Sequence, residues 1–122
     1  MRILVIDDDD AVLGVVGKML GSEGFEALTA ANGEEGLRLI RGNSDINLVI
    51  TDLIMPEKEG IETIRELKRD FPHIRILAIS GGGRGSADSY LDLAAKMGAD
   101  SLLKKPFVKQ ELLEAVQSLL EK

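Results

Sequence analysis

Residues 2–10 read Arg-Ile-Leu-Val-Ile-Asp-Asp-Asp-Asp, an apolar run that ends in four successive carboxylates. The apolar part does not alternate with polar residues, which is typical of a strand buried on both faces of a parallel sheet. Beyond it, apolar residues recur at helical spacing over 10–23, and we predict a helix there. The chain therefore opens with a strand, an acidic turn and a helix.

This strand–helix unit is repeated along the rest of the chain. Asn32 predicts the start of the second helix, because its side chain can cap a helix and Glu35 follows three residues later, as in a capping box. Gly98 predicts the end of the fourth helix. The predicted strands are 2–7, 25–30, 47–52, 74–80 and 101–104, and the predicted helices are 10–23, 32–42, 61–70, 87–97 and 108–121. This alternation predicts a doubly wound α/β domain with a five-stranded parallel sheet and five helices, occupying residues 1–122.

Composition narrows the class of protein. The 122 residues suffice for one domain with its own core, and 44% of them are hydrophobic. The net charge of −6 and the aromatic content of 3% argue against direct nucleic-acid binding by this chain. The apolar runs are too short to cross a membrane, and the absence of cysteine agrees with a reducing compartment. We therefore expect a cytoplasmic protein without membrane contacts.

Carboxylate, hydroxyl and ammonium side chains stand at the ends of four predicted strands. They are the four carboxylates of residues 7–10 after the first strand, Asp52 at the end of the third, Ser80 at the end of the fourth, and Lys104 and Lys105 at the end of the fifth. In open parallel sheets, sites form at the carboxyl ends of the strands. Clustered carboxylates repel one another unless a cation neutralises them, and their oxygens suit Mg²⁺. A carboxylate can also attack phosphorus, with lysine and serine binding the phosphoryl oxygens. The pattern predicts Mg²⁺-dependent phosphoryl transfer at this edge.

An ordered set of motifs resembles the receiver domain of response regulators in two-component signalling. The motifs are Val5-Ile6-Asp7-Asp8-Asp9, Asp52-Leu53-Ile54-Met55-Pro56 with Gly60, Ser80, Gly98-Ala99-Asp100, and Lys105-Pro106-Phe107. Together they cover essentially the whole chain. The resemblance implies a flavodoxin-like receiver fold with the strand order 2-1-3-4-5. On the residues alone, we interpret Pro56 and Gly60 as turn formers.

The resemblance assigns a role to each site residue. It implies that Asp8 is a direct Mg²⁺ ligand, that Asp7 acts through water, and that the backbone carbonyl of Ile54 completes the protein ligands with Asp52. It also implies that Asp52 is the phosphoacceptor. The remaining assignments are to Ser80, as the switch hydroxyl, and to Lys105, as the cation that pairs with the phosphoryl group. The Lys105–Pro106 bond matches one that is cis in the family.

The expected function follows from this resemblance. A sensor histidine kinase or a histidine phosphotransfer protein would donate the phosphoryl group, and a downstream target or output domain would respond. We expect no enzyme activity beyond self-catalysed acceptance and slow autodephosphorylation. The chain departs from the family at Gly81, where a small residue such as alanine is usual, and at Leu102, where many members carry an aromatic residue. Tyr90 is a possible substitute for that aromatic side chain.

Three alternatives stay open on the sequence alone. A phosphatase with an aspartyl intermediate usually needs an acid two positions after the nucleophile, where Ile54 stands. A nucleotide or flavin binder is disfavoured because residues 81–86 lack the phosphate-loop pattern and aromatics are few. A binding module that kept the fold but lost phosphorylation is disfavoured by the complete acidic set together with Ser80 and Lys105.

Overall fold

A computed structural model describes residues 2–53, 60–80 and 87–121, the side chains of 87–91 excepted. The strands are β1 (Arg2–Ile6), β2 (Glu26–Ala30), β3 (Ile46–Asp52), β4 (Arg75–Ser80) and β5 (Ser101–Lys104). The helices are α1 (Asp10–Gly21), α2 (Gly33–Gly42), α3 (Gly60–Asp70), α4 (Ala87–Met97) and α5 (Lys109–Leu120). All ten predicted elements are confirmed, and their ends differ from the predicted ones by at most two residues.

The five strands form one parallel sheet in the order β2-β1-β3-β4-β5, as predicted. The register pairs Asp52 at the end of β3 with Ile79, and Ser80 at the end of β4 with Lys104. The carboxyl ends of β1, β3, β4 and β5 therefore meet at one edge of the sheet. This edge gathers the polar residues that the sequence placed after the strands.

The core has two apolar layers, one on each face of the sheet. Side chains of β1 alternate between them, so that Leu4 and Ile6 lie in one layer and Ile3 and Val5 in the other. Helices α1 and α5 cover the layer that contains Ile3, and α2 and α3 cover the opposite layer. Burial on both faces explains why the strands are apolar without alternation. In the part of the chain that the structure describes, no helix has the length and apolar character that spanning a membrane requires.

The predicted helix caps are present. The Asn32 side chain accepts a hydrogen bond from the Glu35 backbone N–H at 2.9 Å, so Asn32 is the N-cap of α2. Glu35 in turn accepts from Ala31 N–H at 3.4 Å, one residue before the position expected in a capping box. After α4, Gly98 has a φ of 116°, a left-handed conformation that favours glycine. These caps fix where the second helix begins and where the fourth one ends.

The turn after Gly98 is tied to its surroundings through Asp100. The Asp100 carboxylate accepts hydrogen bonds from the Ile76 backbone N–H at 2.8 Å and from the Lys68 ammonium at 3.0 Å. The Asp100 backbone N–H donates to the Ile76 carbonyl at 2.9 Å. Asp100 therefore joins the start of β4, the end of α3 and the entry to β5. This position sets where β5 begins and so helps to place Lys105.

Two glycines inside α1 lower the stability of the helix. A Cβ added to Gly14 or Gly17 would meet no atom within 4 Å, so alanine fits at both positions. Because alanine restricts the unfolded chain, we expect Gly14→Ala and Gly17→Ala each to raise the free energy of unfolding by up to about 1 kcal/mol. Urea denaturation of the single and double variants measures this gain. Gly24→Ala is the control and should destabilise the protein, since Gly24 has a φ of 87°. A double variant no more stable than the wild type would contradict this account of α1.

Candidate functional site

The site lies where β1, β3, β4 and β5 end. Asp7 follows β1 directly and is fully buried, Asp52 is the last residue of β3 and is 7% exposed, and Ser80 ends β4 and is fully buried. Asp8 is exposed to solvent beside them. The structure thus brings together the side chains that the sequence selected, in a pocket that is buried at its base and open at Asp8.

Three carboxylates in this pocket can hold a cation. One oxygen each from Asp7, Asp8 and Asp52 lies within 4.8 Å of the other two. The donors are all oxygens and one of them is exposed, which suits Mg²⁺ because this ion prefers carboxylates and keeps several of its waters. The donor set therefore fits the expected metal. Ile54, whose carbonyl the resemblance assigns to the same ion, lies outside the described residues.

Asp7 binds the site lysine. Its Oδ2 accepts a hydrogen bond from Lys105 Nζ at 2.9 Å, and its Oδ1 accepts from the Asp9 backbone N–H at 2.9 Å. The same ammonium lies 3.8 Å from Asp52 Oδ2. The buried Asp7 carboxylate is therefore fully paired, and Lys105 sits closer to Asp7 than to the expected phosphoacceptor.

Asp52 is held at one oxygen and faces the lysine with the other. Its Oδ1 accepts from the Leu53 backbone N–H at 2.9 Å. Burial raises the pKa of Asp52 to about 6, with a further rise from the Asp7 and Asp8 carboxylates, while Lys105 and the Leu53 N–H act in the opposite direction. The single ammonium does not balance the carboxylates around it. A divalent cation would supply the missing charge and lower the pKa of Asp52.

The backbone ties Lys105 to the end of β4. Lys105 N–H donates to the Ser80 carbonyl at 2.8 Å, and the Lys105–Pro106 peptide bond is cis, as the resemblance implies. Leu102 on β5 is 37% exposed, so the position of the family's aromatic residue carries an exposed aliphatic side chain here. Gly81 and the side chain of Tyr90 lie outside the described part of the chain.

Two neighbours of Asp52 have contacts that sequence reasoning missed. The buried Thr51 donates a hydrogen bond from Oγ1 to the Asp52 carbonyl at 2.9 Å. Gly60 was interpreted as a turn former and not as a contact, yet it is the first residue of α3 and packs against the Asp52 backbone. Pro56, interpreted in the same way, lies outside the described residues. The spacing of Gly60 from Asp52 was visible in the motif, but the contact depends on how α3 approaches β3. Nothing in the sequence singled out Thr51.

Comparison with known proteins places this arrangement in a family. A family model described as "Response regulator receiver domain" matches residues 3–117. CpxR, a transcriptional regulatory protein of Klebsiella pneumoniae subsp. pneumoniae (strain HS11286), is 33% identical over an alignment of 123 positions, which covers 99% of this chain and 50% of CpxR. The sensor kinase CckA of Brucella abortus (strain 2308) is 34% identical over an alignment of 122 positions, which covers 98% of this chain and 12% of CckA. The chain spans about half the length of CpxR and a smaller part of CckA.

Solved structures agree with this placement. A response regulator receiver domain protein from Clostridium thermocellum is 36% identical, with a TM-score of 0.89 and coverage of 98% of this chain and 94% of that one. A CheY-like receiver domain protein from Methanospirillum hungatei JF-1 is 31% identical, with a TM-score of 0.88 and coverage of 98% and 93%. The sheet order, the acidic pocket with its lysine, and these matches along nearly the whole chain lead to one conclusion: the chain belongs to the response regulator receiver domain family.

Proposed function

We propose that this receiver domain accepts a phosphoryl group on Asp52 in a Mg²⁺-dependent reaction, with a phosphohistidine of a sensor histidine kinase or a histidine phosphotransfer protein as the donor. The observation that carries the proposal is the setting of Asp52. Its carboxylate is buried at the sheet edge, close to Asp7, Asp8 and Lys105, and its Oδ1 is held by the Leu53 N–H. Such a group needs a cation and has one oxygen directed at the lysine.

Each residue of the site has a separate role in the reaction. Asp52 Oδ2 attacks phosphorus and forms the acyl phosphate, while the bond from phosphorus to the donor nitrogen breaks and its electron pair stays on the imidazole. Lys105 neutralises charge on the phosphoryl oxygens, and the Ser80 hydroxyl donates a hydrogen bond to one of them. Mg²⁺, when held by Asp8, Asp52, the Ile54 carbonyl and, through water, Asp7, supplies further positive charge. No separate acid or base is required of the protein.

The donor protein needs a surface next to this pocket. An apolar cavity of about 490 Å³ lies between α1 and the segment after β5, and Lys105 is part of its wall. Val15, on α1 beside this cavity, is 52% exposed, which is a large fraction for an aliphatic side chain. A partner that packs on this apolar surface would bring its phosphohistidine to the mouth of the pocket. We therefore assign donor docking to α1 and to residues 105–107.

The product would change the local charge balance. A phosphoryl group adds about 1.5 to 2 negative charges, which draw Lys105 and the Ser80 hydroxyl toward Asp52. Both residues end or follow strands near α4 and α5, so their movement shifts the population of states that a downstream target or output domain binds. Slow attack by water on the acyl phosphate resets the domain, and no other substrate is turned over. No observation favours a phosphorylation-independent binding module.

Intact mass spectrometry after incubation with acetyl phosphate tests the proposal. We expect one labile phosphoryl adduct that forms with Mg²⁺ and not in its absence. Reduction of the acyl phosphate with borohydride followed by peptide mapping should place the modification at Asp52. An adduct on another carboxylate, or one that forms equally well without Mg²⁺, would contradict the assignment.

The wild type would also give no adduct if the domain does not accept a phosphoryl group from acetyl phosphate. Beryllofluoride and Mg²⁺ then provide the second arm, because the fluoride complex mimics a bound phosphoryl group without any transfer step. Binding of beryllofluoride would support the site and restrict the donor to a protein. Absence of binding to both beryllofluoride and Mg²⁺ would overturn the proposed function.

A further inference from the structure

The peptide unit that joins Asp52 to Leu53 is held at both of its polar ends. Its carbonyl, on Asp52, accepts a hydrogen bond from Thr51 Oγ1 at 2.9 Å. Its N–H, on Leu53, donates to the Asp52 carboxylate at 2.9 Å and also to the Ile79 carbonyl at 3.1 Å. Thr51, Asp52 and Leu53 are all buried, so water does not compete for these bonds. The N–H end of this peptide is thus the group that fixes the nucleophile's Oδ1.

Helix α3 packs against the carbonyl end of the same peptide at Gly60. A Cβ built on Gly60 would overlap the Asp52 carbonyl oxygen, and it would lie 2.6 Å from Leu53 Cα and 2.9 Å from the Asp52 carbonyl carbon. These are backbone atoms, which cannot rotate away as a side-chain end can. Gly60 is not among the positive-φ glycines of the described chain, so space rather than backbone conformation excludes a side chain. Its N–H also donates to the Leu53 carbonyl at 3.1 Å.

We infer that Thr51 and Gly60 are positioning residues for phosphoryl acceptance: together they set the tilt of the 52–53 peptide, and this peptide sets the direction of the Asp52 carboxylate. A peptide unit is planar, so a change in the direction of its C=O turns its N–H as well. Turning the N–H moves the hydrogen bond that holds Oδ1, and Oδ2 of Asp52 moves with it. This inference rests on the proposed function, in which Oδ2 attacks phosphorus.

The consequence is a requirement for close packing next to the reacting atom. Small misplacements of a reacting group have large effects on rate, because in-line attack depends on distance and direction. The same carboxylate is an expected Mg²⁺ ligand, so its direction also affects metal affinity. The acceptance rate and the Mg²⁺ affinity therefore both depend on the direction of the Asp52 carboxylate, and only the rate involves phosphoryl transfer.

Replacing Thr51 separates positioning from packing. Thr51→Val removes the hydroxyl and keeps the shape, whereas Thr51→Ser keeps the hydroxyl. We expect Thr51→Val to slow acceptance from acetyl phosphate by about three- to tenfold and to weaken Mg²⁺ binding measured by calorimetry, and Thr51→Ser to restore both to within about twofold of the wild type. Thr29→Val, at an exposed position of β2, is the matched control and should change neither value.

Replacing Gly60 tests the other contact. We expect Gly60→Ala to slow acceptance by at least about tenfold and to weaken Mg²⁺ binding, because the added methyl group displaces the 52–53 peptide. Gly42→Ala, in a helix with open space around the new methyl group, is the matched control and should leave both values unchanged. Circular dichroism and urea denaturation establish that each variant is folded. If Gly60→Ala does not fold, the comparison of Thr51→Val with Thr51→Ser decides alone.

The outcomes distinguish this inference from the proposed function. Wild-type Mg²⁺ affinity and acceptance rate in folded Thr51→Val would overturn the positioning role, and so would a serine variant that behaves like the valine variant. An adduct that maps away from Asp52 in the wild type would overturn the proposed function instead. In that case the Mg²⁺ affinities of the Thr51 variants still decide whether the peptide controls the carboxylate.

Discussion

Lys105→Met is expected to slow phosphoryl acceptance by about 100-fold or more while it increases the affinity for Mg²⁺. The loss of rate follows because Lys105 is the cation placed beside Asp52, with Nζ 3.8 Å from Oδ2. Methionine has a similar length and no charge, so developing charge on the phosphoryl oxygens would lose one of its two cationic partners. Stopped-flow or quench measurements with acetyl phosphate at saturating Mg²⁺ give the rate.

The gain in Mg²⁺ affinity follows from the hydrogen bond between the Lys105 ammonium and Asp7. Lys105 Nζ donates to Asp7 Oδ2 at 2.9 Å, so in the metal-free protein the lysine occupies a carboxylate that Mg²⁺ also needs. Removing it leaves a more negative pocket with no internal competitor. We expect calorimetry to show a several-fold lower dissociation constant for Mg²⁺. Lys104→Met is the matched control, because Lys104 is the preceding lysine and is exposed.

In Lys105→Met the acceptance rate is expected to fall while the Mg²⁺ affinity rises, and these opposite changes distinguish the predicted effect from misfolding. A general loss of folding would weaken Mg²⁺ binding and acceptance together. If Lys105→Met bound Mg²⁺ less tightly than the wild type, the Asp7–Lys105 pair would not be a competitor of the metal. If it accepted the phosphoryl group at the wild-type rate, Lys105 would have no role in stabilising the transferred charge.

Asp52→Asn is expected to abolish the phosphoryl adduct and, in the absence of Mg²⁺, to stabilise the fold at neutral pH. An amide cannot form the acyl phosphate, so the mass should stay that of the unmodified protein under conditions that label the wild type. The stabilisation follows because ionised Asp52 is buried near two other carboxylates, and burial is the main cause of its raised pKa. Asparagine has nearly the same shape and no charge.

The dependence of this stabilisation on pH has a definite sign. The pKa of Asp52 is about 6 in the folded protein, against 3.8 for an unperturbed aspartate. The folded state therefore binds the proton more tightly than the unfolded state, so protonation favours folding. This advantage is fully present below pH about 4 and is lost as the pH rises through about 6. At pH 7 the ionised group disfavours folding by on the order of 1–3 kcal/mol, which Asp52→Asn removes.

Urea denaturation at several pH values measures this difference. The unfolding free energies of Asp52→Asn and the wild type should be similar near pH 3.5 and should separate between pH 4 and 7, with the variant more stable. Saturating Mg²⁺ should narrow the gap at pH 7, since the metal binds the wild type better. Asp92→Asn, at an exposed position, is the matched control for the change from carboxylate to amide. A variant that is less stable than the wild type at pH 7 would contradict the raised pKa.

Much of the fold and the pocket follows from patterns that act over short distances. Apolar strands without alternation require cover on both faces, and a chain of strand–helix units can provide it only as a parallel sheet. In such a sheet the carboxyl ends of the strands share an edge. The convergence of Asp7, Asp8 and Asp52 was therefore predictable from the places where the first and third strands end in the sequence. The identity of the family rested on the order of the motifs rather than on any one of them.

The finer geometry was not predictable because it depends on contacts between distant segments. That Lys105 pairs with Asp7 in preference to Asp52 is decided by distances of 2.9 and 3.8 Å, which the sequence does not encode locally. The role of Gly60 depends on the approach of α3 to the backbone of β3. Each of these is a tertiary effect on a local preference.

The Asp7–Lys105 hydrogen bond joins two residues that are 98 positions apart. During synthesis on the ribosome, the acidic half of the pocket leaves the exit tunnel long before the lysine does. An unfinished chain thus carries Asp7, Asp8 and Asp52 without the ammonium that completes the site, and it also lacks β5 to hold the sheet edge in place. Signalling competence would then arise only when nearly the entire domain has been made and folded. A cell that relays information through this protein would receive it from complete molecules and not from nascent or truncated ones.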